Sequence, residues 1–301
     1  MNQRIVMHLD KNQPTIPALG QLALLVLSMA LFSLLAQGLV YLLGQYMGLS
    51  VQELLPTFGK NSVYEERQFL RFANLITHTF TFTLAALFWS RLVYGRQWLD
   101  FLKLKRGPKP DLAIAGILFL MAILAFSQWA IWLNGLLPMP DWAAEMEQAA
   151  KRMVAGLLHM ESTGELLFTL LVIGVVPGIG EELLFRGIIQ QKMASYSGRP
   201  QLAVWMTALL FSVFHLQFAG LLPRFFLGVG LGYLLYWTKN MWMPILAHLS
   251  INGSQVLAAH YMGTPVESET STPNWWSVLF AAVLLILLGY FLHHRSVQSD
   301  E

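Results

Sequence analysis

The sequence VIGVVPGIGEELLFRGII, residues 172–189, is the most informative stretch of this chain, because two adjacent carboxylates interrupt an otherwise apolar run. Glu181 and Glu182 are followed by Arg186, about one helical turn further on. Charged side chains at membrane depth are costly and usually have a function. We therefore take this cluster as the first candidate for a functional site.

The whole chain has the composition of a membrane protein. Its 301 residues are 55% hydrophobic and only 12% charged, and a bilayer core of about 30 Å requires about 20 mostly apolar residues per helix. This predicts an all-α, polytopic membrane protein with about eight transmembrane helices. The eight apolar windows are Leu19–Leu43, Phe69–Val93, Leu112–Leu137, Leu166–Leu184, Leu202–Leu222, Phe225–Trp237, Met243–His260 and Trp275–Leu292. The sixth is too short to span the bilayer unaided, so we expect it to start earlier or to be partly re-entrant.

A single integral-membrane domain, 1–301, is expected in three parts. Residues 1–137 carry three spans and residues 166–292 carry a core of five, with all the motifs described below inside 166–260. The stretch 138–165 interleaves charged and apolar residues at helical spacing. This pattern predicts an amphipathic connector that lies on the membrane surface or caps the bundle.

The positive charges predict the orientation in the membrane. With eight spans and the N-terminus inside, thirteen of the nineteen Lys and Arg residues fall in inner segments, as the positive-inside rule requires. They are Arg4, Lys11, Arg91, Arg96, Lys103, Lys105, Arg106, Lys109, Arg186, Lys192, Arg199, Lys239 and Arg295. We therefore expect both termini to face the cytoplasm.

Further polar residues lie in the later spans. His215 occurs in LLFSVFHLQF, and His248 and Asn252 occur in MPILAHLSINGSQV. Residues four apart share one face of a helix, so Glu182 can pair with Arg186 while Glu181 points about 100° away, toward a cavity.

These side chains suit the activation of water. A carboxylate in a poorly solvated pocket can take a proton from water and return it, and a nearby imidazole can orient the same molecule. A second imidazole and a side-chain amide can donate hydrogen bonds to a developing oxyanion. The set is sufficient for peptide hydrolysis without a covalent nucleophile.

Three motifs follow one another on successive apolar segments. Residues 181–186 form EExxxR, residues 211–215 form FxxxH, and residues 248–252 form HxxxN. In this order they resemble the CPBP family of intramembrane glutamic endopeptidases, which includes the type II CAAX prenyl proteases and bacterial proteins linked to bacteriocin processing and immunity. The resemblance extends over about residues 166–260.

The resemblance implies a role for each motif residue. Glu181 would be the general base on water, and His215, in a motif that begins at Phe211, would help to hold that water. His248 and Asn252 would form the oxyanion site. Glu182 and Arg186 would orient the motif.

The resemblance also implies an eight-helix bundle whose internal catalytic cavity is open toward the cytoplasm and toward lipid, with no obligatory metal. The substrate would be a peptide or protein, possibly prenylated or membrane-anchored, rather than a nucleic acid, and we expect a bacterial inner membrane. One tension remains. Glu181 and His248 fall in the cytoplasmic half of their spans and His215 falls deeper, so a break near Pro177, Gly178 and Gly180 is expected to bring them together.

Two other functions are open. A carboxylate and two histidines could bind zinc, which makes a metalloprotease the alternative enzyme. An immunity or scaffold protein, or an ion-coupled transporter, is the alternative without proteolysis. Five of the other histidines are predicted to be interfacial or packing residues: His78, His159, His260, His293 and His294. The glycines at 228, 230 and 232 are predicted to serve close helix packing.

Overall fold

The computed structural model describes residues 16–263 and 272–298, so Arg4 and Lys11 lie outside the described residues. Within these ranges all regular structure is helical, which confirms an all-α, integral membrane protein. Ten helices follow one another: α1 Ala18–Met47, α2 Val51–Leu54, α3 Tyr64–Phe101, α4 Pro110–Gly135, α5 Asp141–Leu157, α6 Thr163–Ser197, α7 Pro200–Phe214, α8 Leu221–Thr238, α9 Trp242–Met262 and α10 Trp275–Gln298.

Seven of the eight apolar windows each lie on one helix, apart from a few residues at their ends, and the fifth extends past α7 into the loop that follows it. In the described part of the chain, five helices are long and apolar enough to cross a membrane by themselves, namely α1, α3, α4, α6 and α10. The exact number of eight spans therefore stays a prediction. So does the division of the chain into parts, although the amphipathic helix expected inside 138–165 is present as α5.

Two predicted boundaries are wrong, and one of the corrections moves the candidate site. The fourth window ends at Leu184, but α6 continues to Ser197, so Glu181 is the nineteenth of its 35 residues. Glu181 therefore lies in the middle of its helix rather than near the end. The fifth window continues to Leu222, but α7 ends at Phe214 and α8 already begins at Leu221. The sixth span thus starts earlier, which is one of the two outcomes expected for it.

Three stretches of the long helices are π-helical. They are Thr79–Leu84 in α3, and Leu170–Val175 and Leu183–Gln190 in α6. A π turn contains an additional residue, so it rotates the side chains that follow relative to a regular α-helix, and such turns are frequent at functional sites. His78 directly precedes the first of these stretches and Glu182 directly precedes the third.

Glycines in α6 allow its two neighbours to approach closely. A Cβ atom on Gly178 would lie 3.2 Å from the backbone nitrogen of Leu249 in α9, and one on Gly180 would lie 2.7 Å from Thr83 Oγ1 in α3. Small residues at such contacts are typical of membrane helix packing. The packing role predicted for Gly228, Gly230 and Gly232 is confirmed as well, since a Cβ on any of them would collide with a neighbouring helix.

A buried ion cluster fixes α3 against the start of α6. Glu165 Oε1 accepts hydrogen bonds from Arg71 at 2.7 Å and from Gln68 at 3.0 Å, and it is 3.3 Å from Arg67 Nε. The two helices run in the same direction from this point. His78, two turns after Arg71 on α3, is thereby brought to the middle of α6.

Candidate active site

Glu182 and Arg186 form the pair predicted from their spacing. Arg186 NH1 donates to Glu182 Oε1 at 2.8 Å, and both side chains are fully buried. The guanidinium also donates to the Gly228 carbonyl at 3.2 Å and lies 4.4 Å from the centre of the Phe211 ring. The carboxylate is therefore held by a cation that is itself fixed by α7 and α8.

His248 shares the Glu182 carboxylate with this arginine. Its Nδ1 lies 2.8 Å from Glu182 Oε1, and the ring is 3% exposed. An ionised carboxylate only accepts hydrogen bonds, so Nδ1 carries the proton in the neutral ring and Nε2 keeps its lone pair. Nε2 faces the second glutamate, 3.9 Å from Glu181 Oε2. That distance is too long for a direct hydrogen bond.

Glu181 has a partner that the motifs do not contain. His78 Nε2 lies 3.0 Å from Glu181 Oε1, and the His78 ring stacks on Phe82 at 4.4 Å. The sequence-based prediction that His78 is an interfacial or packing residue is therefore wrong. A signal was present, because His78 is an ionisable residue inside a predicted apolar span.

His215 lies on the opposite side of the cluster, at the end of α7. Its Nδ1 donates to the Phe211 carbonyl at 2.7 Å, and its ring lies 4.8 Å from the Phe211 ring. The Phe211 ring in turn is 6.1 Å from that of His248. The half-buried His215 ring interacts electrostatically with Glu181. The Phe211 ring thus packs against both His215 and His248.

Asn252 is hydrogen-bonded to an earlier part of α6, before Glu181. Its Nδ2 donates to the Ile173 carbonyl at 3.2 Å. In a regular α-helix this carbonyl would accept a hydrogen bond from the N–H of residue 177, but Pro177 has no N–H. Ile173 precedes Glu181 by eight residues, or about 12 Å of an α-helix. The structure thus brings Glu181, Glu182, Arg186, His248, Phe211 and His215 together, and it gives Asn252 a partner outside this group.

Several buried polar atoms of the cluster are unpaired. Among the described residues, Glu182 Oε2, Arg186 Nε and His78 Nδ1 have no hydrogen-bond partner. The same holds for NH1 of Arg224, a residue of α8 that interacts electrostatically with Glu181 and that the motifs do not include. Buried polar groups are nearly always paired, so this region can accept further hydrogen-bonding groups.

A cavity of about 860 Å³ leads to the cluster from the side of α1, α3 and α5. It reaches His78 and Phe82 at one end and the residues that follow α1 at the other. Its walls combine apolar side chains with amides and hydroxyls, including Gln37, Gln45 and Asn74, and no Lys, Arg, Asp or Glu side chain lines it. It extends toward the C-terminal end of α1, which the charge pattern predicts to be outside. A cytoplasmic opening and that orientation cannot both hold for this cavity.

Zinc would need a different arrangement of the same side chains. Within residues 16–263 and 272–298, no three His, Cys, Asp or Glu side chains are arranged to hold a metal ion. Glu181 could be joined as a ligand by His78 and His248, but His78 is hydrogen-bonded to the carboxylate. Metal binding would have to break that bond.

The fold and the site define an integral membrane protein with a buried glutamate and histidine cluster beside a cavity. Residues 163–254 match the family model described as type II CAAX prenyl endopeptidase Rce1-like. This match confirms the suspected resemblance and supports a membrane protease of this family. The matched segment contains all three motifs but does not include His78. No curated protein and no solved structure matches the chain.

Proposed function

We propose that this protein is an intramembrane endopeptidase that hydrolyses a peptide bond with a water molecule activated by Glu181. The position of the Glu181 carboxylate carries the proposal. It is 9% exposed, with Oε1 3.0 Å from His78 Nε2 and Oε2 3.9 Å from His248 Nε2. It also lies within the segment that matches the protease family.

The two imidazoles have different tasks. His78 donates from Nε2 to Glu181 Oε1, which holds that carboxylate in one orientation. His248 keeps a lone pair on Nε2, because its Nδ1–H is bonded to Glu182. A water molecule beside both groups can donate one hydrogen to Glu181 Oε2 and the other to His248 Nε2. Glu182 orients His248 as a carboxylate orients the histidine of a serine protease.

The reaction then balances within this group. The water oxygen forms a bond to the scissile carbonyl carbon while its proton moves to Glu181. When the tetrahedral intermediate breaks its C–N bond, Glu181 returns the proton to the leaving amine. His215 interacts electrostatically with Glu181 and can hold the water or the amine.

The oxyanion needs a donor other than neutral His248, whose Nε2 has no hydrogen. Asn252 donates to Ile173 and is assigned a positioning role between α9 and α6. Arg224 is the donor that we assign to the oxyanion, because its buried NH1 is unpaired while its NH2 is held by Gln217. Its guanidinium also interacts electrostatically with Glu181 and His215. Preorganised donors of this kind are worth about a hundredfold to a thousandfold in rate.

The first experiment compares cells that carry wild type with cells that carry Glu181→Gln. The substitution keeps the shape and removes the base, so cleavage should fall by about 10²–10⁴-fold while the protein stays folded. Quantitative proteomics should reveal a precursor that accumulates uncleaved. Glu145→Gln, at an exposed position on α5, is the matched control.

Three outcomes contradict this proposal. Undiminished cleavage by Glu181→Gln excludes the base. Complete loss of wild-type cleavage under a tight chelator, restored by zinc, favours the metalloprotease. Equal biological activity of wild type and a Glu181→Ala, His248→Ala double variant favours a scaffold.

The lining of the large cavity suits an extended, uncharged peptide segment, prenylated or otherwise anchored in the membrane. Gly38 of α1 lines this cavity, and a Cβ at that position meets nothing within 4 Å. Gly38→Phe should therefore fill the cavity without a collision. With the precursor found above, we expect kcat/KM to fall mainly through a higher KM. Leu39→Phe, at an exposed position on the side of the same helix that does not line the cavity, is the control. Equal kinetics of the two variants would place the substrate elsewhere.

A further inference from the structure

A second polar site lies near the end of α6, eleven residues after Glu181. The Lys192 ammonium is surrounded by four aromatic rings, at 5.9 Å from Trp89, 4.9 Å from Tyr94, 5.6 Å from Phe101 and 5.7 Å from Tyr196. Aromatic faces attract a cation but supply no negative charge. In the described part of the chain this ammonium has no carboxylate partner and no hydrogen bond.

An apolar groove begins at this lysine. Its volume is about 350 Å³, and its walls come from α1, α3 and α6, including Leu22, Leu25, Ile188 and Met193. Its polar groups are at the lysine end, where the Tyr196 hydroxyl donates to Gln21 Oε1 at 3.2 Å. A ligand that fits has a charged head and an apolar tail. The volume lies in the range of small-molecule sites.

The end of the bundle around Lys192 is strongly basic. Lys105 is paired with Asp100 at 2.6 Å, but the basic residues there outnumber the acidic ones. They are Arg91, Arg96, Lys103, Lys105, Arg106, Lys109 and Arg199. Basic pockets between membrane helices attract anionic lipid headgroups.

We propose that Lys192 and this groove bind an anionic phospholipid, with its phosphate on the ammonium and one acyl chain in the groove. The lysine supplies the charge, the aromatic rings exclude water around it, and the apolar walls receive the chain. The basic rim concentrates anionic lipid near the entrance. The inference does not depend on the proposed function, because none of these residues belongs to the glutamate and histidine cluster.

Native mass spectrometry of the full-length protein tests the proposal, after exchange into detergent that contains equal amounts of phosphatidylglycerol and phosphatidylcholine. Wild type should retain phosphatidylglycerol. Lys192→Met should retain about fivefold less phosphatidylglycerol. This factor corresponds to the contribution that one lysine makes to binding an anionic lipid surface. Lys192→Arg should keep the preference. Lys151→Met, at an exposed position of α5 outside the basic rim, is the control for net charge and should behave as wild type.

A second measurement serves if Lys192→Met does not fold. Phosphatidylglycerol with brominated acyl chains should quench the fluorescence of Trp89, which lines the groove, and most of this quenching should be absent from Trp89→Phe. Equal retention of the two lipids by wild type, or equal phosphatidylglycerol on wild type and Lys192→Met, overturns the proposal. So does displacement of the lipid by inorganic phosphate at equal concentration, because the groove would then have no role.

Discussion

Two buried clusters of carboxylates and arginines lie on the same helix, α6, and they differ in how completely their atoms are paired. Glu165 accepts hydrogen bonds from Arg67, Arg71 and Gln68 on Oε1, and Oε2 accepts from the backbone nitrogen of Glu161 at 2.8 Å. Glu182 shares a single oxygen between Arg186 and His248, and its other oxygen is unpaired.

Complete pairing is what a structural cluster requires, because each unpaired buried polar group costs stability. The Glu165 cluster meets this requirement and holds α3, the loop after α5 and α6 in place. The cluster of Glu181 and Glu182 does not meet it. The distance of 3.9 Å between Glu181 Oε2 and His248 Nε2 leaves two acceptors facing each other. A donor from outside the chain can complete this pair, which is what a hydrolytic site needs.

The comparison predicts opposite responses to the same substitution. Glu165→Gln removes the charge that balances Arg71, and breaking a buried ion pair costs about 3–5 kcal/mol. The midpoint of unfolding in detergent should therefore fall strongly, while the protein that remains folded should keep its kcat. Glu181→Gln should instead lower kcat strongly and leave the unfolding midpoint almost unchanged. Glu145→Gln on the exposed face of α5 should change neither.

If Glu165→Gln leaves the unfolding midpoint unchanged but removes activity, the Glu165 cluster is not a purely structural one. If Glu181→Gln mainly lowers the midpoint, the cluster of Glu181 and Glu182 is itself structural.

A second prediction concerns the hydrogen bond that connects α3 to the site. His78→Leu removes the donor to Glu181 Oε1, and a hydrogen bond to a charged group is worth about 1.5–3 kcal/mol, which corresponds to about a tenfold to hundredfold loss in kcat/KM. His78→Gln retains an N–H donor and should recover most of the rate. His293→Leu, at an exposed histidine of α10, is the control.

Rescue by glutamine separates positioning from packing, since a residue needed only for its bulk would be replaced about equally well by leucine. Equal rates of the leucine and glutamine variants would remove His78 from the mechanism.

The sequence predicted the parts of this molecule that depend on local spacing. Glu182 and Arg186 pair because residues four apart share a helix face, and the apolar windows fall on helices because the bilayer requires it. The end of α6 was missed because Gln190 and Gln191 lower the hydropathy after residue 184. In the structure both amide nitrogens donate internally, to the carbonyls of Gly232 and Phe101 at 3.0 Å, and the helix continues.

Contacts between distant helices could not be read in the same way. The contact of His78 with Glu181 depends on the close approach of α3 at Gly180 and on the π-helical turn after His78. Neither feature follows from residue spacing in the sequence, so the sequence does not show that Glu181 is the partner of His78. The link from Glu182 to His248 likewise depends on how α9 packs against Gly178. The motifs thus identify candidate site residues, whereas the packing of the helices determines which of these residues are in contact.

The smallest predicted effect is at the exposed edge of the structural cluster. Glu161 lies in the loop before α6, and its hydrogen bonds to Arg67 and then to His159 hold the pKa of its carboxyl below the ordinary range. A carboxyl with a lowered folded-state pKa stabilises the fold above its unfolded pKa, about 4.3, and loses this contribution as the pH falls through the folded-state value. Glu161→Gln should therefore lower the unfolding midpoint slightly at pH 7. The difference from wild type should shrink in acid and in high salt, because exposed pairs are screened. A difference that persists well below the unfolded pKa would mean that Glu161 is as tightly bound into the cluster as Glu165.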